Sequence, residues 1–236
     1  MADRVDLLVF GPHPDDLEIG LGGAIAKHVA LGHRVGLCDL TRGELGTNGT
    51  PEQRLREAEA ARDVLGASWR ENLALPDGDI GRDPSHVRAI VELIRGAKPK
   101  TIAVPYGRDR HPDHAAASRL LARAAFLSGL ARFDAAGEPW RTDWVLSYFI
   151  NDSARPSFVV DVSAQYETKR GALACHQSQF APPVSSSTGP TATRLNTPRF
   201  QQLIESRDAQ FGALIGVPFA EGVVVRELLV REHLLK

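Results

Sequence analysis

The sequence predicts an α/β fold in which helices flank a mostly parallel β-sheet. Short apolar runs alternate along the chain with longer segments of helical periodicity, which is the pattern of a parallel sheet wrapped by crossover helices. The 236 residues are enough to bury a substantial core. We therefore expect one Rossmann-like domain over residues 1–236, with a core over 1–136 and a small C-terminal extension over 137–236.

Strands are expected where the apolar runs are short, and helices where the runs lengthen. Six runs have the length of a strand: Val5 to Phe10, Arg34 to Leu40, Asn72 to Leu75, Thr101 to Pro105, Trp144 to Ile150 and Ser157 to Val162. Three helices show a capping residue, a proline and a final glycine: Thr50, Pro51 and Gly66; Asp83, Pro84 and Gly96; Thr197, Pro198 and Gly216. Residues 180–198 are rich in Pro, Ser and Thr, which predicts a long loop.

The charge balance excludes a protein that recognises its partner through overall charge. The chain has 28 Lys and Arg residues against 29 Asp and Glu residues, a formal net charge of -1, so no global field favours nucleic acid or an anionic membrane surface. The first residues, MADRVDLLVF, do not have the pattern of a secretion signal, and no apolar segment approaches the about 20 residues of a membrane span. We expect a cytoplasmic protein with a small-molecule partner.

Two motifs of His, Pro and Asp follow predicted strands. HPDD (residues 13–16) follows the first strand, and HPDH (residues 111–114) follows the fourth. Ligands of open α/β sheets bind at the carboxyl ends of the strands, near the point where the strand order reverses. The first strand of such a sheet is normally central, so a neighbouring later strand brings the motifs together. Adjacent carboxylates repel one another, which indicates a cation at this edge.

The spacing within the motifs predicts a catalytic metal site. His13 and Asp16 are three residues apart, and so are His111 and His114. Each pair shares a face if its motif begins a helix. Two imidazoles and one carboxylate suit Zn²⁺ with an open position for water, whose pKa the metal lowers.

The other motif residues fit proton transfer. Asp15 is out of register with its neighbours, so it is free to act as a general base. One histidine of HPDH is free to act as an acid or to stabilise an oxyanion. Asp113 lies between the two histidines in sequence, and we expect it to hold the other ring nitrogen of that histidine.

Three alternatives account for parts of this pattern. A single HPD tripeptide often begins a helix, with Asp as the cap. The segment GLGG resembles a phosphate-binding loop, but the acidic motif stands where that loop must begin. His13 and Asp15 with a distant histidine also match HxD…H, the facial triad of non-haem iron oxygenases, which usually lies on an all-β fold. Two such motifs at two strand ends favour the metal site.

With both motifs in place, the chain resembles the LmbE-like or PIG-L family of zinc-dependent N-acetylglucosaminide deacetylases. PHPDDLEIGLGG is similar to the family's first motif, with Pro12 in place of the usual alanine, and HPDH is similar to the second. Three stretches resemble the branch that makes bacillithiol: TRGELGTNGTPEQRLREAEAARDVLG, PSFVVDVSAQYETKRGALACHQSQF and ESRDAQFGALIGVPFAEG. The resemblance covers almost the whole chain. It implies deacetylation of N-acetylglucosaminyl malate to glucosaminyl malate and a homo-oligomer, a hexamer in that branch.

The resemblance also implies a role for individual residues. The zinc ligands it implies are His13, Asp16 and His114. It implies that Asp15 is the general base and that His111, steered by Asp113, is the acid or the oxyanion group. It further implies that Arg56 contacts the substrate, and a guanidinium binds the carboxylates of malate in bidentate fashion. Three further candidates for substrate contact are Arg110, Glu44 and Asn48.

Several functional alternatives remain open at the level of the sequence. The substrate is the malate glycoside, another N-acetylglucosaminide, or a thiol conjugate cleaved at an amide. The ligands accept Fe²⁺ as well as Zn²⁺. A metal-dependent binding protein without turnover is the alternative of a different class. The second carboxylate, Asp15, argues against it, because a mere binding site has no use for that group.

Overall fold

Strands and helices alternate along the chain, as the apolar pattern predicts. The computed structural model describes residues 3–183 and 191–229. Its elements, in chain order, are β1 (Leu7–Gly11), α1 (Asp16–Ala30), β2 (Val35–Thr41), α2 (Pro51–Leu65), β3 (Trp69–Leu75), α3 (Pro84–Ala97), β4 (Thr101–Pro105), α4 (Pro112–Ser128), β5 (Trp144–Tyr148), β6 (Phe158–Asp161), a 3₁₀ turn (Ser163–Gln165), α5 (Tyr166–Cys175), α6 (Gln177–Phe180), α7 (Pro198–Ala213) and β7 (Ala220–Val225). The predicted loop over 180–198 includes residues 184–190, which lie outside the described residues.

One seven-stranded sheet has the order β3-β2-β1-β4-β5-β7-β6. The five strands from β3 to β5 are parallel, and β7 is antiparallel to both β5 and β6. The winding direction reverses between β1 and β4, which leaves a crevice at their carboxyl ends. The expected α/β class with a mostly parallel sheet is therefore confirmed. Strands from residues 137–236 extend this same sheet.

Helices cover both faces of the sheet and close two apolar cores. One core includes Leu17, Ile25 and Leu37 and lies on the side of α1, α2 and α5. The other includes Ile90 and Ile94 and lies on the side of α3 and α4. The crevice between β1 and β4 thus opens above a well-packed interior, which holds the loops at its edge in place.

The GLGG segment lies inside α1 and brings that helix close to the sheet. A Cβ at Gly20 would lie 2.2 Å from the ring of Tyr148, and one at Gly23 would lie 2.7 Å from Val162. The Tyr148 hydroxyl donates to the carbonyl oxygen of Phe10 at 2.8 Å. These glycines therefore serve helix–sheet packing, and the helix that contains them begins at the HPDD motif.

Several local predictions differ from the structure: α7 ends at Ala213, before the expected Gly216, and β3 begins at Trp69, before the expected Asn72. β7 is absent from the predicted strands because Glu221 and Gly222 give its sequence little strand propensity. Glu221 is nevertheless buried, since Lys169 lies 2.6 Å from its Oε1. α3 continues through Gly96, and Lys98 at φ +47° follows its last residue instead. The burial of Glu221 in β7 arises from a contact that local propensity does not contain.

Candidate active site

The HPDD and HPDH motifs meet at the carboxyl ends of β1 and β4, as their positions after two strands predict. They line a pocket of about 510 Å³ together with residues 45–47 and 193–195. A second hollow, of about 740 Å³, lies beside α4 and β5, and none of the His and Asp residues of the two motifs line it. We therefore place the active site in the smaller pocket.

Two histidine nitrogens lie beside the Asp16 carboxylate, which gives three expected metal donors in one place. Asp16 Oδ2 lies 3.1 Å from His13 Nδ1 and 3.3 Å from His114 Nε2. Ligands that lie about 2.0–2.2 Å from one tetrahedral Zn²⁺ are about 3.4 Å apart, so these distances fit a shared ion. His13 lies in the turn before α1, not on the helix. The contact therefore arises from the turn, and the expected shared helix face does not form for this pair.

Two sets of three side chains have one donor atom per residue within 4.8 Å of the others: His13, His111 and His114, and His13, Asp77 and Asp113. The expected set of His13, Asp16 and His114 shares two members with the first of these. His13 belongs to both sets and also contacts Asp16, so it lies at the centre of the cluster. Imidazole nitrogen and carboxylate oxygen are the donors that Zn²⁺ and Fe²⁺ take in proteins, so the residues present fit a divalent metal.

Carboxylates hold the remaining nitrogens of the two buried histidines. Asp109 Oδ1 lies 3.1 Å from His114 Nδ1. His13 Nε2 lies 3.1 Å from Asp77 Oδ1 and 3.3 Å from Asp113 Oδ2. Such partners fix the tautomer and the orientation of a metal-binding imidazole and raise its basicity.

Burial and charge act in opposite directions on the donors. Burial acts to raise the pKa of Asp16, but His114 and His13 outweigh it and hold that pKa well below its usual range. Burial acts to lower the pKa of His114, but Asp16 and Asp109 outweigh it and raise that pKa to about 9. The Asp16 carboxylate is therefore ionised at neutral pH, as a metal ligand must be.

Asp15 is separated from the donors by an unusual backbone conformation. It precedes α1 with φ +134°, a region that residues with a Cβ rarely adopt. Its Oδ2 lies 3.3 Å from Nη2 of Arg54. Burial raises the pKa of Asp15 to about 6, and Arg54 acts in the opposite direction. A buried carboxylate with a pKa close to neutral suits a general base.

Comparison with known proteins identifies the family to which the chain belongs. The sequence profile of the family described as PIG-L, GlcNAc-PI de-N-acetylase, matches residues 8–125. The diacetylchitobiose deacetylase of Thermococcus kodakarensis is 31% identical over 193 residues, which cover 75% of this chain and 71% of that protein. The chain belongs to the PIG-L deacetylase family.

One more relative and two solved structures are also similar to this PIG-L chain. A 1D-myo-inositol 2-acetamido-2-deoxy-alpha-D-glucopyranoside deacetylase of Rhodococcus opacus is 32% identical over 174 residues, and the match covers 59% of each chain. The crystal structure of a conserved protein of Thermus thermophilus has a TM-score of 0.87 and 35% identity, with 99% of this chain and all of that chain covered. The fold is also that of the N,N'-diacetylchitobiose deacetylase of Pyrococcus horikoshii, at a TM-score of 0.80, 23% identity and coverage of 93% and 82%.

His111 is the N-cap residue of α4 and lines the pocket. Its Nδ1 accepts the backbone N–H of Asp113 at 3.3 Å, and its ring stacks on His114 with centroids 4.7 Å apart. Burial and the nearby histidines lower the pKa of His111. The expected hold of the Asp113 carboxylate on His111 differs from the structure. That carboxylate accepts the Gly78 N–H at 2.9 Å and contacts His13, because the first turn of α4 directs it toward the loop after β3.

The arginine of α2 that lines the PIG-L pocket is Arg54. Arg56 is exposed and lies outside the pocket, since residues two apart in a helix point to opposite sides. Arg54 is buried and donates to the carbonyl oxygens of Pro14 at 2.9 Å and Gly43 at 3.0 Å, as well as to Asp15. Gly43 has φ +65°, and a Cβ there would lie 1.8 Å from Arg54 Nη1. The arginine expected from the resemblance, Arg56, therefore lies outside the pocket in the structure, and a substrate contact by it stays a prediction.

Of the other three expected substrate contacts, only Arg110 lines the pocket. Glu44 Oε1 accepts the backbone N–H of Asp77 at 3.1 Å. The Asn48 side chain makes two hydrogen bonds of 2.8 Å with the backbone of Thr191. Glu44 and Asn48 therefore brace the loops around the pocket of this PIG-L protein and do not line it.

Sequence reasoning also missed four pocket-side residues. Asp77 follows β3 at the same sheet edge, and Asp109 precedes HPDH in the segment DRHPDH, so the rule that located the motifs could have found both. Asn151 and Arg194 come from segments after β5 and before α7. No local motif marks these two, and only the folded chain places them at the pocket.

Proposed function

We propose that this protein removes the acetyl group from N-acetylglucosaminyl malate, giving glucosaminyl malate and acetate. The observation that carries the proposal is one pocket with buried His and Asp donors and with two exposed arginines, Arg110 and Arg194, at its edge. Amide hydrolysis needs the donors, and an aglycone with carboxylates suits the arginines. Family membership supports an N-acetylglucosaminide as the substrate class.

We propose Zn²⁺ as the metal, with Fe²⁺ as the alternative in the cell. The ligands would be His13, Asp16 and His114, which the distances above support. A divalent ion held by these ligands would act as a Lewis acid toward the amide carbonyl and would lower the pKa of a water molecule. The chain itself holds the donors in place, because Asp109 and Asp77 fix the outer nitrogens of the two histidines.

Asp15 and His111 are proposed to move the protons. With a pKa of about 6, Asp15 is largely ionised at pH 7, and its carboxylate accepts a proton from the water that attacks the acetamide carbonyl. His111 lines the pocket and donates to the departing amine or to the carbonyl oxygen. The amide C–N bond breaks, the amine leaves with the proton, and acetate remains.

Acetate release from a panel of N-acetylglucosaminides tests the proposal. The malate glycoside should exceed free N-acetylglucosamine in kcat/KM by at least about tenfold, because a charge-assisted contact contributes roughly 1.5–3 kcal/mol. Equal rates would leave a general N-acetylglucosaminide deacetylase. Cleavage of thiol-conjugate amides alone would leave the amidase alternative, and metal binding without any turnover would leave a binding protein.

N,N'-Diacetylchitobiose is the second candidate substrate. It is favoured by the relative from Thermococcus kodakarensis, which carries the name of that activity and is 31% identical over 75% of this chain. Chitobiose has no carboxylate, so it makes no use of charged groups at the pocket edge. A higher kcat/KM on chitobiose than on the malate glycoside would replace the first candidate by this one.

The oligomeric state and the cytoplasmic location stay predictions. We propose a homo-oligomer, as the sequence resemblance implies. Light scattering of the purified protein should then give a mass several times the 25.6 kDa of one chain. A monomeric mass at micromolar concentration would contradict this. Within residues 3–183 and 191–229, every helix is too short or too polar to cross a bilayer.

A further inference from the structure

The segment before α7 carries an arginine at the edge of the pocket. Arg194 lines the pocket and is exposed. Its Nη1 donates to Asn151 Oδ1 at 2.8 Å, and its guanidinium carbon lies 5.1 Å from the ring centre of Phe200. Stacking on an aromatic face and one hydrogen bond hold a guanidinium in place without using most of its donors. The group is thus oriented while it faces the pocket.

The backbone around Arg194 is fixed by side-chain hydrogen bonds. Asn196 accepts the Thr193 N–H at 2.8 Å and donates to the Thr191 carbonyl oxygen at 2.9 Å. The Thr197 hydroxyl donates to the Arg194 carbonyl oxygen at 2.8 Å. Asn48, in the loop before α2, joins this segment through Thr191. The segment is therefore built to present the arginine.

A second arginine faces the same space. Arg110 precedes the HPDH motif, lines the pocket and is exposed. Burial and then the charge of Arg110, which lines the same pocket, lower the pKa of Arg194. Asp152 and Asp109 act on Arg194 in the opposite direction. Among the described residues, however, neither arginine forms an ion pair with a carboxylate, so the pair retains positive charge for a ligand.

We propose that Arg194 is a specificity-determining residue that, together with Arg110, binds a carboxylate of the substrate's aglycone. The inference rests on the proposed function, because it names the part of the pocket that selects a charged aglycone. Two guanidinium groups at one edge bind a dicarboxylate such as malate better than either group alone. The His and Asp donors of the pocket take the acetamide, so the arginines bind the aglycone and select the substrate without taking part in bond cleavage.

The experiment compares Arg194→Gln with a matched control, Arg199→Gln, in the metal-loaded enzyme. Arg199 is also exposed and lies five residues away, but it does not line the pocket. Kinetics are measured with N-acetylglucosaminyl malate and with the neutral methyl N-acetylglucosaminide. Calorimetry with free L-malate provides a readout that does not depend on turnover.

Arg194→Gln should lower kcat/KM for the malate glycoside by about tenfold, mainly through KM, because it removes a charge-assisted contact. The neutral glycoside should be affected much less, and L-malate should bind about tenfold more weakly. Arg199→Gln should change none of these values by more than about twofold. The preference for the charged substrate should also fall as salt is added, since the arginines are exposed.

The outcomes separate this inference from the proposed function. If wild-type enzyme prefers the malate glycoside and Arg194→Gln keeps that preference, the inference is overturned and the function stands. If wild-type enzyme shows no preference, the function fails, and L-malate binding alone decides the inference: weaker binding in Arg194→Gln supports it, and equal or undetectable binding overturns it. Equal losses on both glycosides would assign Arg194 to the fold or the chemistry, against the inference.

Discussion

Two buried groups of charged side chains in this protein are built in opposite ways. The first, the pocket cluster, consists of His13, Asp15, Asp16 and His114. The second, the Lys169 network, consists of Lys169, Asp208, Glu221 and Tyr166. Both are almost completely removed from solvent. They differ in how fully the chain itself satisfies their charges.

In the Lys169 network, each carboxylate has a cationic partner within the fold, because Arg207 Nε also lies 3.0 Å from Asp208 Oδ1. Lys169 Nζ lies 2.6 Å from Asp208 Oδ2 and 2.6 Å from Glu221 Oε1. Glu221 also accepts the backbone N–H groups of residues 23 and 24, just after α1 departs from helical geometry at Leu21. The network therefore caps the second half of α1 and ties α5, α7 and β7 together.

In the pocket cluster, Asp15 combines a strained backbone with a raised pKa. Asp15 and Asp16 are adjacent carboxylates, and Asp15 has the strained φ of +134°. Burial raises the pKa of Asp15 to about 6, so ionising it at pH 7 costs folding free energy. A buried carboxylate that is held in a strained backbone conformation with a raised pKa is typical of a functional site.

The largest effect is expected from removing a metal ligand. His114→Ala should abolish both metal content and acetate release, because it takes one of three donors from the cluster. His111→Ala should keep the metal and lower kcat by about 10²–10⁴-fold, since general acid catalysis typically accelerates a reaction by this factor. Elemental analysis beside the activity assay makes the comparison. Full metal in His114→Ala together with loss of metal in His111→Ala would reverse the two assignments.

The next largest effect concerns Asp15. Asp15→Asn should keep the metal and lower kcat by about 10²–10⁴-fold, because an amide accepts no proton from water. It should not lower the melting temperature, since a neutral side chain avoids the cost of burying a charge at this strained position. Metal analysis, kinetics and thermal unfolding are measured on one preparation. A variant without metal would show that Asp15 is a ligand and would revive the HxD…H alternative.

The Lys169 network should respond in the opposite sense. Lys169→Met leaves the buried Glu221 without its cation, while Asp208 keeps Arg207, so the free energy of unfolding should fall by about 3–5 kcal/mol while kcat per folded molecule is retained. Lys100→Met is the matched control, because Lys100 pairs with Asp6 at the surface and is exposed. The control should cost at most about 1 kcal/mol in urea unfolding. If Lys169→Met also lowered the free energy of unfolding by no more than about 1 kcal/mol, the Lys169 network would not differ from a surface ion pair, and its contrast with the pocket cluster would fail.

A smaller effect is expected from the arginine beside Asp15. Arg54→Lys should lower kcat by roughly tenfold on neutral and charged substrates alike, because lysine cannot replace the guanidinium that holds Pro14, Gly43 and Asp15. Arg56→Lys, on the exposed side of the same helix, should leave kcat unchanged. Steady-state kinetics on two substrates distinguishes positioning from substrate selection. A loss confined to the malate glycoside would make Arg54 a substrate contact instead.

The smallest effect is the dependence of kcat on pH near neutrality. The base form of Asp15 is the ionised one, and its pKa is raised to about 6, so kcat should fall as the pH decreases through about 6. Between pH 7 and pH 6 the fall should be about twofold, and further below it should approach tenfold per pH unit. Rate profiles in buffers of constant ionic strength measure this. Activity that stays constant down to pH 4.5 would assign the proton transfer to another group.

The sequence by itself determined the fold class, most of the strands and the meeting of the two motifs. Strand polarity explains this success, because in a parallel sheet every strand ends at the same edge, so motifs that follow β1 and β4 need no further information to converge. Spacing along the chain also marked Asp15 as separate from Asp16. These inferences depend only on residue order and on the regular geometry of strands and helices.

Only the tertiary structure decided which side chains face the pocket and which carboxylates are satisfied. A difference of two positions on α2 separates Arg54 from Arg56, and the predicted strands omit the strand that contains Glu221, the partner of Lys169. Arg194 reaches the pocket through a contact between Asn48 and Thr191, which are 143 residues apart. Such contacts form where the packing of whole elements brings distant segments together, and local sequence patterns do not encode that packing.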